Sequence, residues 1–178
     1  MKNELLIKNA IRTIPGFPEP GILFRDVTTL MKDEKAFHLS VELLVEKSAE
    51  FGEHTFIAGI EARGFVFGSI LAEKTGKGFV PVRKPGKLPS EIISMEYELE
   101  YGRDRIEVHK DAIVKGEGYL VVDDLLATGG TAEAACRLIE GGGGIVVGCL
   151  FLVELPDLKG RQKLVSRTVI SIIEFEGR

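Results

Sequence analysis

Strict alternation of apolar and acidic positions marks one stretch of the chain. Met95, Tyr97, Leu99 and Tyr101 alternate with Glu96, Glu98 and Glu100, and Ile106 and Val108 alternate with Glu107 and His109. A period of two predicts a half-exposed antiparallel hairpin. Elsewhere the rhythm differs: short, mainly apolar runs at 55–60, 79–82, 119–122 and 145–153 read as buried strands, and 64–74 and 131–140 read as helices between them. Asp33 can cap a further helix in which Phe37, Val41 and Leu44 share one face and which ends near Gly52. At the start, Leu6, Ala10 and Ile14 stand at helical spacing and Pro15 stops the pattern, so a helix is expected over 4–14. Strands alternating with helices predict an α/β fold, a mainly parallel central sheet flanked by helices, to which the small hairpin is appended. The run I-P-G-F-P-E-P-G at 14–21 is turn chemistry throughout and delivers Ile22, Leu23, Phe24 and Arg25 from a stiff, shaped loop. The glycines 141–144 end the helix before them.

Composition narrows the class without changing that picture. A chain of 178 residues suits one core, so a single domain over 1–178 is expected. The apolar run 145–153 is broken by Gly148 and falls well short of the roughly 20 residues that cross a bilayer. Residues 1–14 mix Lys2, Glu4 and Lys8 with apolar positions, unlike an export leader, which points to a cytoplasmic protein without a membrane partner. A net charge of −4 gives no electrostatic support to a nucleic-acid partner. Cys136 and Cys149 form no C-x-x-C pair and are expected to pack as reduced thiols; His38, His54 and His109 are isolated and lack metal spacing.

The strongest chemical signal is Y-L-V-V-D-D-L-L-A-T-G-G-T, residues 119–131. An apolar strand leads to two acids, then a small, glycine-rich turn that opens a helix. Amide N–H groups at such a turn and the positive helix end together favour an anion, so Ala127, Thr128, Gly129, Gly130 and Thr131 are candidate phosphate ligands. Asp123 and Asp124 suit the diol of an attached ribose. Four charge-assisted bonds at about 1.5 to 3 kcal/mol each would contribute about 6 to 12 kcal/mol before entropy, enough for micromolar binding. The bland alternative is a solvated acidic turn before a flexible glycine pair. Neither G-x-x-x-x-G-K-[ST] nor G-x-G-x-x-G is present to support an ATP or dinucleotide loop.

This segment resembles the phosphoribosyl diphosphate motif of the type I phosphoribosyltransferase family, and from about residue 14 to 174 the chain resembles the branch of that family that uses adenine. The match runs through I-P-G-F-P-E-P-G-I-L-F-R-D-V-T, G-I-E-A-R-G-F-V-F-G, V-P-V-R-K-P-G-K-L-P, L-E-Y-G, V-V-D-D-L-L-A-T-G-G-T and L-V-E-L in order. The resemblance implies transfer of phosphoribose from its diphosphate to adenine, giving AMP and pyrophosphate in purine salvage, with Mg²⁺ present and a homodimer as the assembly. It implies Glu100 as the group that handles the N7 proton of adenine, a base site at Leu23, Phe24 and Arg25 within an N-terminal hood (1–33), and a pyrophosphate loop at Glu61, Ala62 and Arg63, where a non-proline cis peptide often occurs.

A leaving pyrophosphate needs cations, and Arg63, Arg83, Lys84 and Lys87 fall in two turns at expected strand ends. Pro85 and Gly86 among them suggest a flexible lid, which with the hairpin and Tyr101 spans 83–109. Without the resemblance, a surface arginine is the lesser reading of Arg63, an ordinary turn is an equal reading of the 83–90 segment, and a solvated strand residue is the stronger reading of Glu100. Mg²⁺ is expected on donor oxygens and water, with Asp123 or Asp124 contributing at most indirectly. Ala127 stands where members acting on 6-oxopurines resemble E-D-I-I-D-T-G-x-T and carry a second Asp, and a methyl group cannot move a proton. Gly16 replaces a frequent Asp and Thr29 a common Pro. A regulator that binds the donor without turnover is the alternative of another class; such regulators usually add a DNA-binding segment, for which 178 residues leave no room.

Overall fold

The computed structural model describes residues 2–98 and 103–177. In chain order it forms α1 (Lys2–Ala10), β1 (Arg12–Pro15), β2 (Leu23–Asp26), α2 (Thr28–Lys32), α3 (Glu34–Ser48), β3 (Phe56–Ile60), α4 (Arg63–Thr75), β4 (Gly78–Val82), β5 (Ile92–Glu98), β6 (Arg103–His109), β7 (Gly118–Leu126), α5 (Gly130–Gly141), β8 (Ile145–Glu154) and β9 (Val169–Glu174). Five strands make one parallel sheet in the order β4-β3-β7-β8-β9. Alternate residues of each central strand enter different cores. Val121, Cys149 and Phe151 pack with α5 and the β5–β6 hairpin, whereas Leu120, Val122, Leu150 and Leu152 pack under α1 to α4. Both faces are covered, which is why these strands read as mainly apolar runs.

The expected α/β architecture is present, with local corrections. The opening helix ends at Ala10, because Arg12–Pro15 pairs antiparallel with Leu23–Asp26 around the proline-rich turn. Its buried position is Ile7, followed by Ile11 just past its end, one residue beyond the stripe read from Leu6, which lies on the surface. Helix α3 does carry the Asp33 cap, whose side chain accepts the Ala36 N–H at 2.9 Å, but it stops at Ser48. Strand β7 continues through both acidic residues to Leu126, four residues past the expected end. Helix α2 and strand β9 were not expected; the latter's V-I-S-I-I-E is a β-branched edge run.

The hairpin has the expected pairing, with Met95 opposite Ile106 and Tyr97 opposite Asp104. Its polar face is not all solvated. Glu107 is only 2% exposed; its carboxylate accepts the Gly86 N–H at 2.9 Å and meets Arg105 Nη2 at 3.0 Å, while its backbone exchanges two hydrogen bonds with Arg83. The hairpin is thereby fastened to the end of β4.

Helix α4 approaches the sheet closely because Gly64 has no side chain. A Cβ there would lie 2.9 Å from the Val122 carbonyl oxygen and 2.7 Å from Asp123 Oδ1. The second glycine of G-I-E-A-R-G thus sets the distance between the first turn of α4 and the acidic end of β7.

Candidate active site

Parallel strands bring all their carboxyl ends to one side, the usual place for a ligand in an open α/β sheet. Here that side gathers Glu61 and Arg63 after β3, Arg83 and Lys84 after β4, and Asp123 and Asp124 with the following loop at the end of β7.

The loop 127–129 turns sharply into α5 through Gly129, whose φ of +76° favours glycine. Among the described residues, the N–H groups of Ala127, Thr128 and Gly129 donate to no protein acceptor. They border a cavity of about 80 Å³ lined by residues 125–132, Asp123 and Phe151. Unclaimed amide donors at the start of a twelve-residue helix make an anion site. Behind the loop runs Gly160, not singled out from sequence. A Cβ on Gly160 would lie 2.3 Å from the Ala127 carbonyl oxygen and 3.1 Å from Gly129 N, both rigid backbone atoms. Gly160→Ala is therefore expected to displace the loop and weaken AMP binding by about tenfold or more, the loss of one charge-assisted contact. Calorimetry checks it, and unchanged affinity would contradict the support role.

Asp123 and Asp124 are not equivalent. Asp123 is half-buried, lines the loop cavity and accepts the Asp124 N–H on Oδ1 at 2.8 Å. Asp124 is buried, and its Oδ2 lies 2.8 Å from Arg63 Nε, a close ion pair without hydrogen-bond alignment. Burial, then the neighbouring Asp124 charge, pushes the Asp123 carboxyl well above the usual range. Burial also raises Asp124, but Arg63 opposes it, so of the two Asp123 holds a proton more readily. Folding then favours protonated Asp123, and the wild type loses stability as pH rises through and above about 4. Asp123→Asn cannot ionise, so its melting temperature relative to wild type should climb between about pH 4 and pH 8 in ligand-free protein. A difference constant across that window would contradict the assignment.

The expected pyrophosphate residues come together, although several are already paired. The peptide Glu61–Ala62 is cis and non-proline, as the resemblance implied. The Glu61 carboxylate accepts Arg83 Nε at 3.2 Å, Arg83 Nη2 at 3.3 Å and the Lys84 N–H at 2.9 Å. Burial drives this carboxyl upward, yet these donors hold it below the usual range. A carboxylate does not receive an anion, so Glu61 fixes Arg83 and Lys84, and an anion at this loop would meet its backbone and Arg63 instead. Arg63 itself is sandwiched between Asp124 and the ring of Phe24, 5.7 Å away. Lys84 contacts Asp104, and Lys87 is exposed.

In the first loop Phe24 faces this side, edge-on to Phe17, and Leu23 is half-buried. Arg25 points away. Its guanidinium donates to Thr13 Oγ1 at 2.5 Å and to the Glu176 carbonyl at 2.7 Å and covers Phe175, so its side chain anchors the chain end, and only its backbone is left for a base. Glu100 and Tyr101 lie outside the described residues. Cys136 and Cys149 are buried with Sγ atoms 3.4 Å apart, and the contact with Cys136, then burial, push the Cys149 thiol well above its ordinary pKa. No group of three metal-ligating side chains occurs among the described residues. Asp123, with its raised pKa, and Asp124, already paired to Arg63, together offer few oxygens, which fits Mg²⁺ carried mainly by a diphosphate and water. No helix is long and apolar enough to cross a membrane among the described residues.

Comparison with known proteins agrees with this geometry. The family model for the phosphoribosyl transferase domain matches residues 26–177. A protein of Chlorobium chlorochromatii named adenine phosphoribosyltransferase is 55% identical over 174 residues, covering 96% of this chain and 98% of its own. The crystal structure of adenine phosphoribosyltransferase from Thermoanaerobacter pseudethanolicus superimposes with a TM-score of 0.91 at 55% identity, over 95% of this chain and 98% of that one. The Saccharomyces cerevisiae enzyme, complexed with adenine and an imino-altritol bisphosphate, gives a TM-score of 0.89 at 39% identity over 97% and 99% of the two chains.

Proposed function

The chain belongs to the phosphoribosyltransferase family, and from that premise we propose that it joins adenine to 5-phosphoribosyl 1-diphosphate, forming AMP and pyrophosphate for purine salvage. The observation that carries the reading is the cavity of free amides at 127–129 beside two carboxyls, with Arg63, Arg83 and Lys84 gathered opposite. The amides and Thr131 receive the 5-phosphate, Asp123 and Asp124 the ribose hydroxyls, and Arg63, Arg83, Lys84 and Lys87 the pyrophosphate.

Adenine in its N7–H form attacks C1′ through N9. The C1′–O bond to diphosphate breaks, and Glu100 takes the N7 proton. When bound, Mg²⁺ would supply positive charge for the departing diphosphate, held mainly by donor oxygens and water, with Asp123 or Asp124 contributing at most indirectly. The hood over 1–33 covers the base through Phe24, Leu23 and the backbone at Arg25, while the 83–109 lid and hairpin, with Pro85, Gly86 and Tyr101, exclude water that would hydrolyse the oxocarbenium-like state. The chain works as one domain in the cytoplasm, as its size and N-terminal composition suggest, and as a homodimer, as the resemblance implies.

A transferase for 6-oxopurines is disfavoured by Ala127, which offers no proton acceptor beside the base. The test incubates protein, Mg²⁺ and donor with adenine, hypoxanthine, guanine or xanthine. AMP is expected from adenine, with the other bases poor; no AMP, or a preference for hypoxanthine, would end the reading.

A further inference from the structure

Each of three cations facing the proposed diphosphate holds an acidic partner in the free protein: Arg63 with Asp124, Arg83 with Glu61, and Lys84 with Asp104. The third pair differs from the others. Glu61 and Asp124 belong to the sheet end itself, whereas Asp104 comes from the hairpin, directly across from Tyr97. The Tyr97 hydroxyl donates to Asp104 Oδ2 at 3.0 Å, lies 3.4 Å from Lys84 Nζ and accepts from Thr131 Oγ1 at 3.3 Å. Thr131 opens α5 and belongs to the phosphate loop. One hydroxyl group therefore connects the lysine, its carboxylate and the loop.

We propose that Asp104 is a built-in counter-anion for Lys84, which the diphosphate of donor or product must displace. The inference rests on the reading of Lys84 as a pyrophosphate ligand. Its physical basis is competition: one ammonium group has two anionic claimants, and a carboxylate beside the incoming diphosphate also repels it. Side-chain exposures of 43% for Lys84 and 25% for Asp104 leave the pair accessible to an entering ligand. They also limit its strength to that of a partly solvated ion pair. Asp104 thus lowers affinity for donor and pyrophosphate alike and speeds release of the product. Its position marks it as a positioning residue, since it acts on the reaction through Lys84.

The test titrates inorganic pyrophosphate with Mg²⁺ into the full chain by calorimetry at low ionic strength. Five proteins are compared: wild type, Asp104→Asn, Asp104→Glu, Lys84→Ala and the double variant of Lys84→Ala with Asp104→Asn, each checked for an unchanged melting curve. Asp104→Asn should bind pyrophosphate about three- to fivefold more tightly, the range of a partly exposed ion pair, and the gain should shrink as salt is added. Asp104→Glu should stay near wild type, because the charge is kept. Lys84→Ala should bind more weakly, and adding Asp104→Asn to it should no longer restore tight binding. If Lys84→Ala weakens binding but Asp104→Asn leaves it unchanged or weaker, the counter-anion role is overturned while Lys84 stands as a ligand. If Lys84→Ala changes nothing, the pyrophosphate reading of Lys84 falls and the proposal with it.

Discussion

Glu100→Gln is expected to lower kcat by about 10²- to 10⁴-fold, the usual worth of a positioned proton acceptor, while donor affinity stays within about twofold of wild type. The amide has nearly the shape of the carboxylate but cannot take the N7 proton. The proposed donor contacts lie elsewhere, on the 127–131 loop and at the ends of β3 and β4. Tyr97, three residues before Glu100, reaches Thr131 at 3.3 Å, so this strand of the hairpin runs up to the phosphate loop. Steady-state kinetics and calorimetry with the donor separate the two quantities. An equal loss in both would remove Glu100 from proton transfer and make it a binding residue.

Arg63→Ala should damage both binding and stability. One charge-assisted set of contacts to pyrophosphate is lost, which weakens donor and pyrophosphate by about 10- to 100-fold. The change also strips buried Asp124 of its cation, 2.8 Å away. Breaking a buried pair costs about 3 to 5 kcal/mol, reduced here to about 2 to 3 because a third of the Arg63 side chain is in water. The sign of the pH effect follows. Without Arg63, Asp124 binds its proton more tightly in the folded than in the unfolded state, so the penalty should be small near pH 4 and grow toward pH 8. Chemical denaturation at several pH values, together with pyrophosphate titration, tests both arms. A variant as stable as wild type at pH 8 would mean that Asp124 does not depend on this ion pair.

Much of this arrangement was legible in the residues. Period-two and mainly apolar patterns located the hairpin and four of the five sheet strands, because burial on one or two faces writes itself directly into composition. The turn at 127–131 was recognisable because free amides at a helix start need small residues and glycine. Three kinds of feature were hidden. Helix α1 was read one residue out of phase and too long, since Ile7 and Ile11 have the same spacing as Leu6 and Ala10, and only the pairing of Arg12–Pro15 with β2 decides between them. Strand continuity past Val122 was masked by two acids, which the sheet tolerates because Arg63 meets one and the loop cavity receives the other. Roles set by contact across the fold left no local trace. Arg25 turns toward Phe175, Glu107 inserts beneath Gly86, and Gly160 supports the phosphate loop from about thirty residues away in sequence. Tyr97 read correctly as an inward residue, but nothing in the alternation foretold that its hydroxyl would join Lys84, Asp104 and Thr131.

The most direct measurement is a crystal structure with AMP bound. The account predicts the phosphate on the N–H groups of residues 127–131, the ribose hydroxyls against Asp123 and Asp124, and the purine beside Phe24. A nucleotide seated elsewhere, with the cavity at 127–131 holding no phosphate, would contradict it.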